Sequence, residues 1–555
     1  MRESGNPPEN GIMAYSEAYE RFQLSNIEAL LQGSMTDGIN ACIECCDRHA
    51  ASGRVALEWE NQKGVRATYT FAQLRDLSAQ FAGFLTARGI GPGSVVAGLL
   101  PRVPELVVTI LGTWRAGAVY QPLFTAFGPK AIEQRLQTSG AKLVVTDPAN
   151  RGKLDEVPQN PQVAVVSPGA TLRGADFDFA AELARQDTAF PPVLRKGTDL
   201  FMLMSTSGTT GLPKGVPVPL KALLAFYAYM RDAIDLRADD KFWNIADLGW
   251  AYGLYYALTG PLLLGHATTL YDGPFTVEST YRIIQTHGIT NLAGAPTAFR
   301  LLIAAGEQAA AAVKGRLRVV SSAGEPLNPE VIRWFEANLA APIYDHYGQT
   351  ELGMVVNNHH GLAHIVYPGS AGLAMPGYRV AVLDDADNEL PPNVPGTLAM
   401  DLARSPILWF TGYYNKETPA ISNGYYRTGD TVELEPDGHI SFVGRNDDVI
   451  TSSGYRIGPF DVESALIEHP AVVETAVIGK PDPERTEIVK AFVVLKPGVE
   501  PSDELAEALR QHVKHRLSAH AYPREIAFVE QLPKTPSGKI QRFILRNNEK
   551  IATGS

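Results

Sequence analysis

The chain has 555 residues, with 49 Lys plus Arg against 60 Asp plus Glu and a formal net charge of −11. A composition of 45% hydrophobic and 20% charged residues is that of a globular protein and excludes a mainly disordered or collagen-like chain. The acidic balance argues against nucleic-acid binding over a broad surface, which needs a basic face. It leaves room for a small anion, which a few backbone N–H groups and one or two cations can hold locally.

The first 30 residues read as an extension with no apolar signal region, so neither a secretory nor a transit peptide is expected. The three cysteines, Cys42, Cys45 and Cys46, fall at i, i+3 and i+4 and predict one face of a core helix. A zinc site would need a second, distant ligand pair. So few cysteines point to a reducing compartment, the cytoplasm.

Further along, apolar spacing predicts a helix over Phe71–Leu85, a strand ending at Leu100, a helix over Leu106–Ala116 and strands over Ala141–Thr146 and Val163–Val166. Alternating strands and helices imply right-handed crossovers and mostly parallel sheets. No Asp, Glu, Lys or Arg lies between Asp247 and Asp272, but Gly253, Gly260, Pro261 and Gly265 interrupt the stretch. It reads as a buried strand–turn–helix or the wall of a ligand tunnel, with no membrane span. A strand at Arg318–Ser321 continues the rhythm. Residues 397–444 carry short strands and the turns Asn423-Gly424 and Asp437-Gly438, which predicts a β-rich subdomain. After Gly444–Asp448 the pattern resets, with helices at Pro459–Glu468 and Asp503–Leu517 and strands at Val472–Ile478, Ile488–Leu495 and Glu525–Val529. The expected fold is α/β: a large domain over 31–445 and a small α+β domain over 449–555.

The strongest local signal is STSGTTGLPKG, Ser205–Gly215. Thr206, Ser207, Gly208, Thr209, Thr210 and Gly211 let the backbone approach a polyphosphate, and Lys214 adds a compact positive charge. A Walker A loop needs Gly before its lysine and Ser or Thr after it; here Pro213 precedes and Gly215 follows.

Together with SAGEP (322–326), DHYGQTE (345–351), YRTGD (426–430), GRNDD (444–448), SGYR (453–456) and PKTPSGK (533–539), this loop makes the chain resemble the AMP-forming acyl-CoA synthetases of the adenylate-forming superfamily. The likeness spans about residues 30 to 545. The segments Ser452–Pro459 and His469–Val477 look most like the medium-chain branch. Ser205 departs from the aromatic residue often found there.

The resemblance implies ligation of a carboxylic acid to coenzyme A through an acyl-adenylate, with ATP cleaved to AMP and pyrophosphate. It implies ATP, Mg²⁺ and coenzyme A as ligands. Glu351, following Thr350, suits a hard cation that also touches phosphate oxygens. Gly324, Glu325 and Pro326 would pass beside adenine, with Tyr347 as a stacking face and Asp345, His346 and Gln349 in the same nucleotide motif. Asp430 would accept the ribose hydroxyls, with Arg445 beside it and Arg456 near the phosphates. Lys539 would bring an ammonium between the attacking carboxylate and the α-phosphate. The small domain would be mobile and rotate about Asp447, within a hinge at 446–448. Rotation would raise Ser453, Gly454 and Tyr455 to form the pantetheine tunnel.

Gly348 stands where acetate-specific relatives carry a tryptophan. Its small size predicts an open acyl channel walled by Trp250, Ala251, Tyr252 and Ala323, for a short- to medium-chain acid or a branched or aromatic one of similar volume. A glycine serving a tight turn is the other reading. Acetylation of Lys539 by an acetyltransferase, reversed by a deacetylase, would remove its charge. The rival functions are delivery of the acyl group to a separate carrier protein, and a non-catalytic binding protein of the same fold.

Overall fold

The computed structural model describes residues 12–158, 161–166, 172–206, 213–452, 455–482, 485–517, 521–535 and 539–553, of which the backbone only for 455–456 and 550–553. The helix Phe71–Thr86 starts where Thr70 and Gln73 form a reciprocal capping box, satisfying two N–H groups that the first turn would leave unpaired. Its Phe71, Leu74, Phe81, Ala82 and Leu85 are fully buried against the helix Pro104–Arg115. Gly112 permits that contact, because a Cβ there would lie 2.8 Å from Phe81 Cβ. The three cysteines are buried and free, on and just after the short helix Ala41–Cys45.

Two large sheets follow from the alternating pattern. A seven-stranded sheet runs Phe177–Asp178, Gln162–Val165, Leu143–Thr146, Val95–Leu99, Val119–Pro122, Leu200–Thr206, Lys214–Pro219, parallel except for its last pair. A 14-stranded sheet has a parallel middle that includes Phe242–Asn244, Asn291–Gly294, Val319–Ala323 and Ile343–Gln349. At Gly353–Asn357 it turns antiparallel and continues so through Ser370–Ala374, Ile440–Arg445, Tyr425–Leu434, Gly396–Asp401 and Val380–Leu383. The β-rich part thus begins well before residue 397, and it extends the same sheet. The tight turn at Thr350–Leu352 reverses the chain, and hairpin connections then suffice where parallel strands need long crossovers.

A five-stranded sheet built on Val472–Asp482 and Thr486–Leu495 forms the small domain's core with the helices Pro459–Ile467, Asp503–Arg516 and Arg542–Thr553. The uncharged stretch after Asp247 forms the helix Ala251–Leu263, π-helical over Leu254–Thr259, and then the strand Thr268–Asp272. Among the described residues no helix is long and apolar enough to cross a membrane.

Candidate active site

Strand Ile343–Gln349 carries the DHYGQTE motif to the sheet's C-terminal edge, where parallel strands commonly present ligand-binding residues. Its first half is structural. Asp345 is buried and accepts the Leu327 N–H at 3.1 Å, anchoring the loop that contains Gly324–Pro326, and burial pushes its pKa up to about 8. His346 is sandwiched between the Tyr229 hydroxyl (2.7 Å) and the Asn358 carbonyl (3.1 Å), and burial drives its pKa down. Both side chains thus engage the backbone and core around them, while Asp345 Oδ1 is left without a hydrogen-bond partner among the described residues.

The second half of the motif faces the site. The Tyr347 hydroxyl donates to Asp430 Oδ2 at 2.5 Å, and Gln349 Nε2 donates to the same oxygen at 2.9 Å. Gln349 also donates to the Thr428 carbonyl and accepts from Tyr426, so its amide serves to position Asp430. Asp430 lies opposite Arg445 in the strand register, its Oδ1 3.7 Å from the guanidinium. Burial raises the Asp430 pKa, opposed by Arg445, by the two hydrogen bonds and by Lys539. Lys539 is itself exposed, and its contribution is the smallest of these.

Glu351 sits in the turn after the strand, between two strands. It is buried, and its Oε1 accepts from the Tyr413 hydroxyl at 2.8 Å. Burial raises its pKa, opposed by Tyr413, Lys214 and Arg445. Lys214 Nζ lies 4.6 Å from the Tyr413 ring centroid, a cation–π contact that fixes the lysine beside the carboxylate. The turn is braced from below, where the Tyr255 hydroxyl donates to the Thr350 carbonyl at 3.0 Å. Tyr413 and Tyr255 went unnoticed in the sequence, and Tyr426 was seen only as the first residue of YRTGD; the aromatic run Trp409–Tyr414 alone hinted at Tyr413.

The phosphate loop joins two antiparallel strands in which Thr206 pairs with Lys214. Ser207, Gly208, Thr209, Thr210 and Gly211 lie outside the described residues, as do Ser453 and Gly454; of Tyr455 and Arg456 only the backbone is described. Gly324 has φ +102°, which only glycine adopts freely, and its Cα faces open space, as a backbone passing beside a planar ligand requires. Glu325 is held by Thr297 (3.2 and 3.3 Å) and Arg300 (3.0 Å). Neither partner carried a sequence signal.

Gly348 departs from its expected role. A Cβ there would lie 2.1 Å from the Gly353 carbonyl oxygen and 2.8 Å from Met354 Cα. Backbone of the facing strand fills the space, at a bulge between Tyr347 and Gly348, so the missing side chain opens no channel in this direction. It is a close-approach glycine, and its φ is not positive. Trp250 is half-buried against Phe124 and Phe127 (centroids 5.4 and 5.8 Å away), Ala251 and Tyr252 are half-buried, and Ala323 is buried.

Mg²⁺ fits this donor set. Among the described residues no cluster of three His, Cys, Asp or Glu could hold a metal alone. A single buried carboxylate near Lys214 suits an ion that keeps waters and would share phosphate oxygens.

The joint between domains is also legible. Asn446 is tied to the large domain through Gly429 (3.0 Å), Thr431 (2.6 Å) and Thr397 (3.0 Å). Asp448 is tied to the small domain through Arg546 and, at 3.7 Å, Arg542. Asp447, between them, is exposed, and its carboxylate lies 3.3 Å from Arg445.

The family model described as AMP-binding enzyme matches residues 46–414, and that of the AMP-binding enzyme C-terminal domain matches residues 461–539. The chain is 40% identical over 550 residues to an acetyl-coenzyme A synthetase of Bacillus subtilis, covering 97% of this chain and 95% of that one. It is 37% identical over 507 residues to the mitochondrial acyl-coenzyme A synthetase ACSM4 of Rattus norvegicus, covering 89% and 86%. A solved acyl-CoA synthetase of Brucella canis is 67% identical and covers 98% of this chain and 100% of its own, with a TM-score of 0.81. The chain belongs to the AMP-binding enzymes and, within them, to the AMP-forming acyl-CoA synthetases, ligases that join a carboxylic acid to coenzyme A through an acyl-adenylate made from ATP.

Proposed function

We propose that the enzyme activates a short- to medium-chain carboxylic acid, with Lys539, Glu351 and Thr350 at the reacting phosphate, Asp430 and Arg445 at the ribose, and the Gly324–Pro326 loop beside adenine. The observation that carries this reading is convergence: Lys214 and Arg445 both bear on Glu351, while Arg445 and Lys539 both bear on Asp430. Five motifs spread along the chain therefore share one electrostatic neighbourhood, with the movable lysine inside it.

In adenylation the acid's carboxylate attacks the α-phosphorus and pyrophosphate departs. Two anions must meet, and the Lys539 ammonium lowers their repulsion; Lys214 faces the leaving phosphates. Mg²⁺, when bound by Glu351, would supply charge neutralisation to the phosphate oxygens. Glu351 must be ionised to do so, and the field of Lys214 and Arg445 works against the burial that would protonate it. The small domain then turns about Asp447, between the anchored Asn446 and Asp448, withdrawing Lys539 and raising Ser453–Tyr455 for the CoA thiolate's attack on the acyl carbonyl.

The acyl chain is placed along Trp250–Tyr252, on a segment without charged side chains, beside Ala323. Each methylene buried there contributes roughly 0.8 kcal/mol, so a C4 acid is favoured over C2 by about 15-fold. Gly348 takes no part in that preference. The likeness to the medium-chain branch supports an acid longer than acetate, and the three free buried thiols suit the reducing cytoplasm. Lys539 is exposed and thus reachable by an acetyltransferase, and acetylation would silence adenylation.

The test is a panel of straight, branched and aromatic acids in two assays: acid-dependent pyrophosphate release, then CoA-dependent AMP release. kcat/KM rising from acetate through butyrate toward hexanoate is the expected result. Acetate preferred over every longer acid would overturn the chain-length reading. Pyrophosphate release without CoA-dependent AMP release would point to a carrier protein as acceptor.

A further inference from the structure

Arg300 lies on the helix Pro296–Ala304, outside every motif that marks the site, yet it stands at a junction of the two domains. Its Nη2 donates to Glu325 Oε2 at 3.0 Å, on the loop beside the nucleotide. The same nitrogen lies 3.9 Å from Glu474 Oε1, on the small domain's Val472–Asp482 strand. The other Glu474 oxygen pairs with Lys534 Nζ at 2.8 Å. The Arg300, Glu325 and Glu474 side chains are only 15%, 17% and 13% exposed, so water screens these contacts less than it would surface pairs.

Lys534 stands at the stem of the loop that ends in Lys539. Lys534 bridges Ile540, the Thr535 N–H donates to the Lys539 carbonyl at 2.8 Å, and the Gln541 N–H donates to the Pro533 carbonyl at 2.9 Å. Displacing Lys534 therefore displaces Lys539 with it.

We propose that Arg300 is a positioning residue for adenylate formation: through Glu474 and Lys534 it couples the loop beside the nucleotide to the stem that presents Lys539. The proposal rests on Lys539 serving adenylation. Rotation about Asp447 carries Glu474 away from Arg300, so the contact stabilises the adenylating arrangement of the domains and is absent during thioester formation. A nucleotide that orders the Glu325 loop would strengthen the Arg300 contact and favour the closed stem. Loss of the adenine-side contact would release both. Among the described residues, Asn328 to Ser464 at 2.8 Å and Arg333 to Glu468 at 3.6 Å also cross this boundary; neither reaches the lysine stem.

The experiment measures both half-reactions in the full chain for wild type, Arg300→Met, Glu474→Gln, the double variant and Arg333→Met, with thermal melts to confirm folding. Adenylation is read as acid-dependent ATP–pyrophosphate exchange and thioester formation as AMP release from supplied acyl-adenylate plus CoA. Arg300→Met is expected to lower kcat of exchange about tenfold, the size of a typical coupling between sites, while thioester formation stays within about twofold. Glu474→Gln, nearly isosteric, should follow the same split even if Arg300→Met folds poorly, and the double variant should be no worse than the poorer single one. Arg333→Met should change the ratio of the two rates by less than about twofold. Equal losses in both half-reactions, or additive losses in the double variant, would overturn the coupling. Wild type without acid-dependent exchange would instead overturn the reading of Lys539 on which it depends.

Discussion

The Asp345–Glu351 motif and the Pro533–Lys539 motif serve the same reaction and are built in opposite ways. The first is a strand end locked on every side: Asp345 to Leu327, His346 between Tyr229 and Asn358, Gln349 to Thr428 and Tyr426, Glu351 to Tyr413. The second ends in an exposed lysine on a loop closed by a few backbone bonds and by Lys534. Groups that must meet a developing charge without reorganising belong on the rigid part. A charge needed in one half-reaction and unwanted in the next belongs on the part that moves.

The largest expected effect isolates the moving charge. Lys539→Ala should lower adenylation by roughly 10²–10³-fold, the usual loss when one transition-state contact is removed. Transfer from supplied acyl-adenylate to CoA should stay within a few-fold, and chemical acetylation of Lys539 should reproduce the split until a deacylase reverses it. Equal loss in both steps would place the lysine in the fixed machinery and dissolve the contrast.

Fixing the joint is the next test. Asp447→Pro sets φ near −65° and should favour one domain arrangement, so that one half-reaction falls at least about tenfold more than the other. Both rates near wild type would move the hinge to Asp448, although that residue is already tied to Arg542 and Arg546.

The rigid half is probed at Gly348. Gly348→Ala places a Cβ 2.1 Å from the Gly353 carbonyl, and the strands must part. A loss of roughly 2–3 kcal/mol of stability is expected in denaturant titration, with activity falling for every acid alike because the Glu351 turn shifts. A variant that stays stable and merely shifts preference toward acetate would restore Gly348 as a pocket residue.

The smallest effect serves as a control far from both motifs. His287 lies between two carboxylates, Glu58 at 3.1 Å and Glu60 at 2.9 Å; when protonated it donates from both ring nitrogens, and its pKa is raised, chiefly by the bond to Glu58. The same bond holds the Glu58 pKa at about 2 instead of 4.5. The imidazolium's contribution is complete below its unfolded pKa of 6.5 and fades as pH rises through the higher folded value. The carboxylate's contribution is complete above 4.5 and fades as pH falls toward 2. His287→Gln should therefore cost most, about 1–2 kcal/mol, between pH 4.5 and 6.5, as read from melts across pH, with both half-reaction rates unchanged. A change in their ratio would show that the site is less insulated than the contrast implies.

Much of this protein was legible in its residues. Apolar periodicity placed the helices near Phe71–Thr86 and Pro104–Arg115 and the strands that alternate with them, because burial of one face is a local, repeating demand. The motif order carried the family, and Arg445 bears on both Glu351 and Asp430 while Lys539 bears on Asp430. Only the tertiary structure showed which neighbours the residues of DHYGQTE meet: Asp345 and His346 bond to loop and core groups, Tyr347 and Gln349 to Asp430, and none of those partners is adjacent in the string. Only it revealed that Gly348 is fixed by the backbone opposite; an absent side chain in sequence signals room or crowding equally. Arg300, Tyr413 and Tyr255 acquire their roles from partners 25 to 174 residues away, at distances only the fold sets.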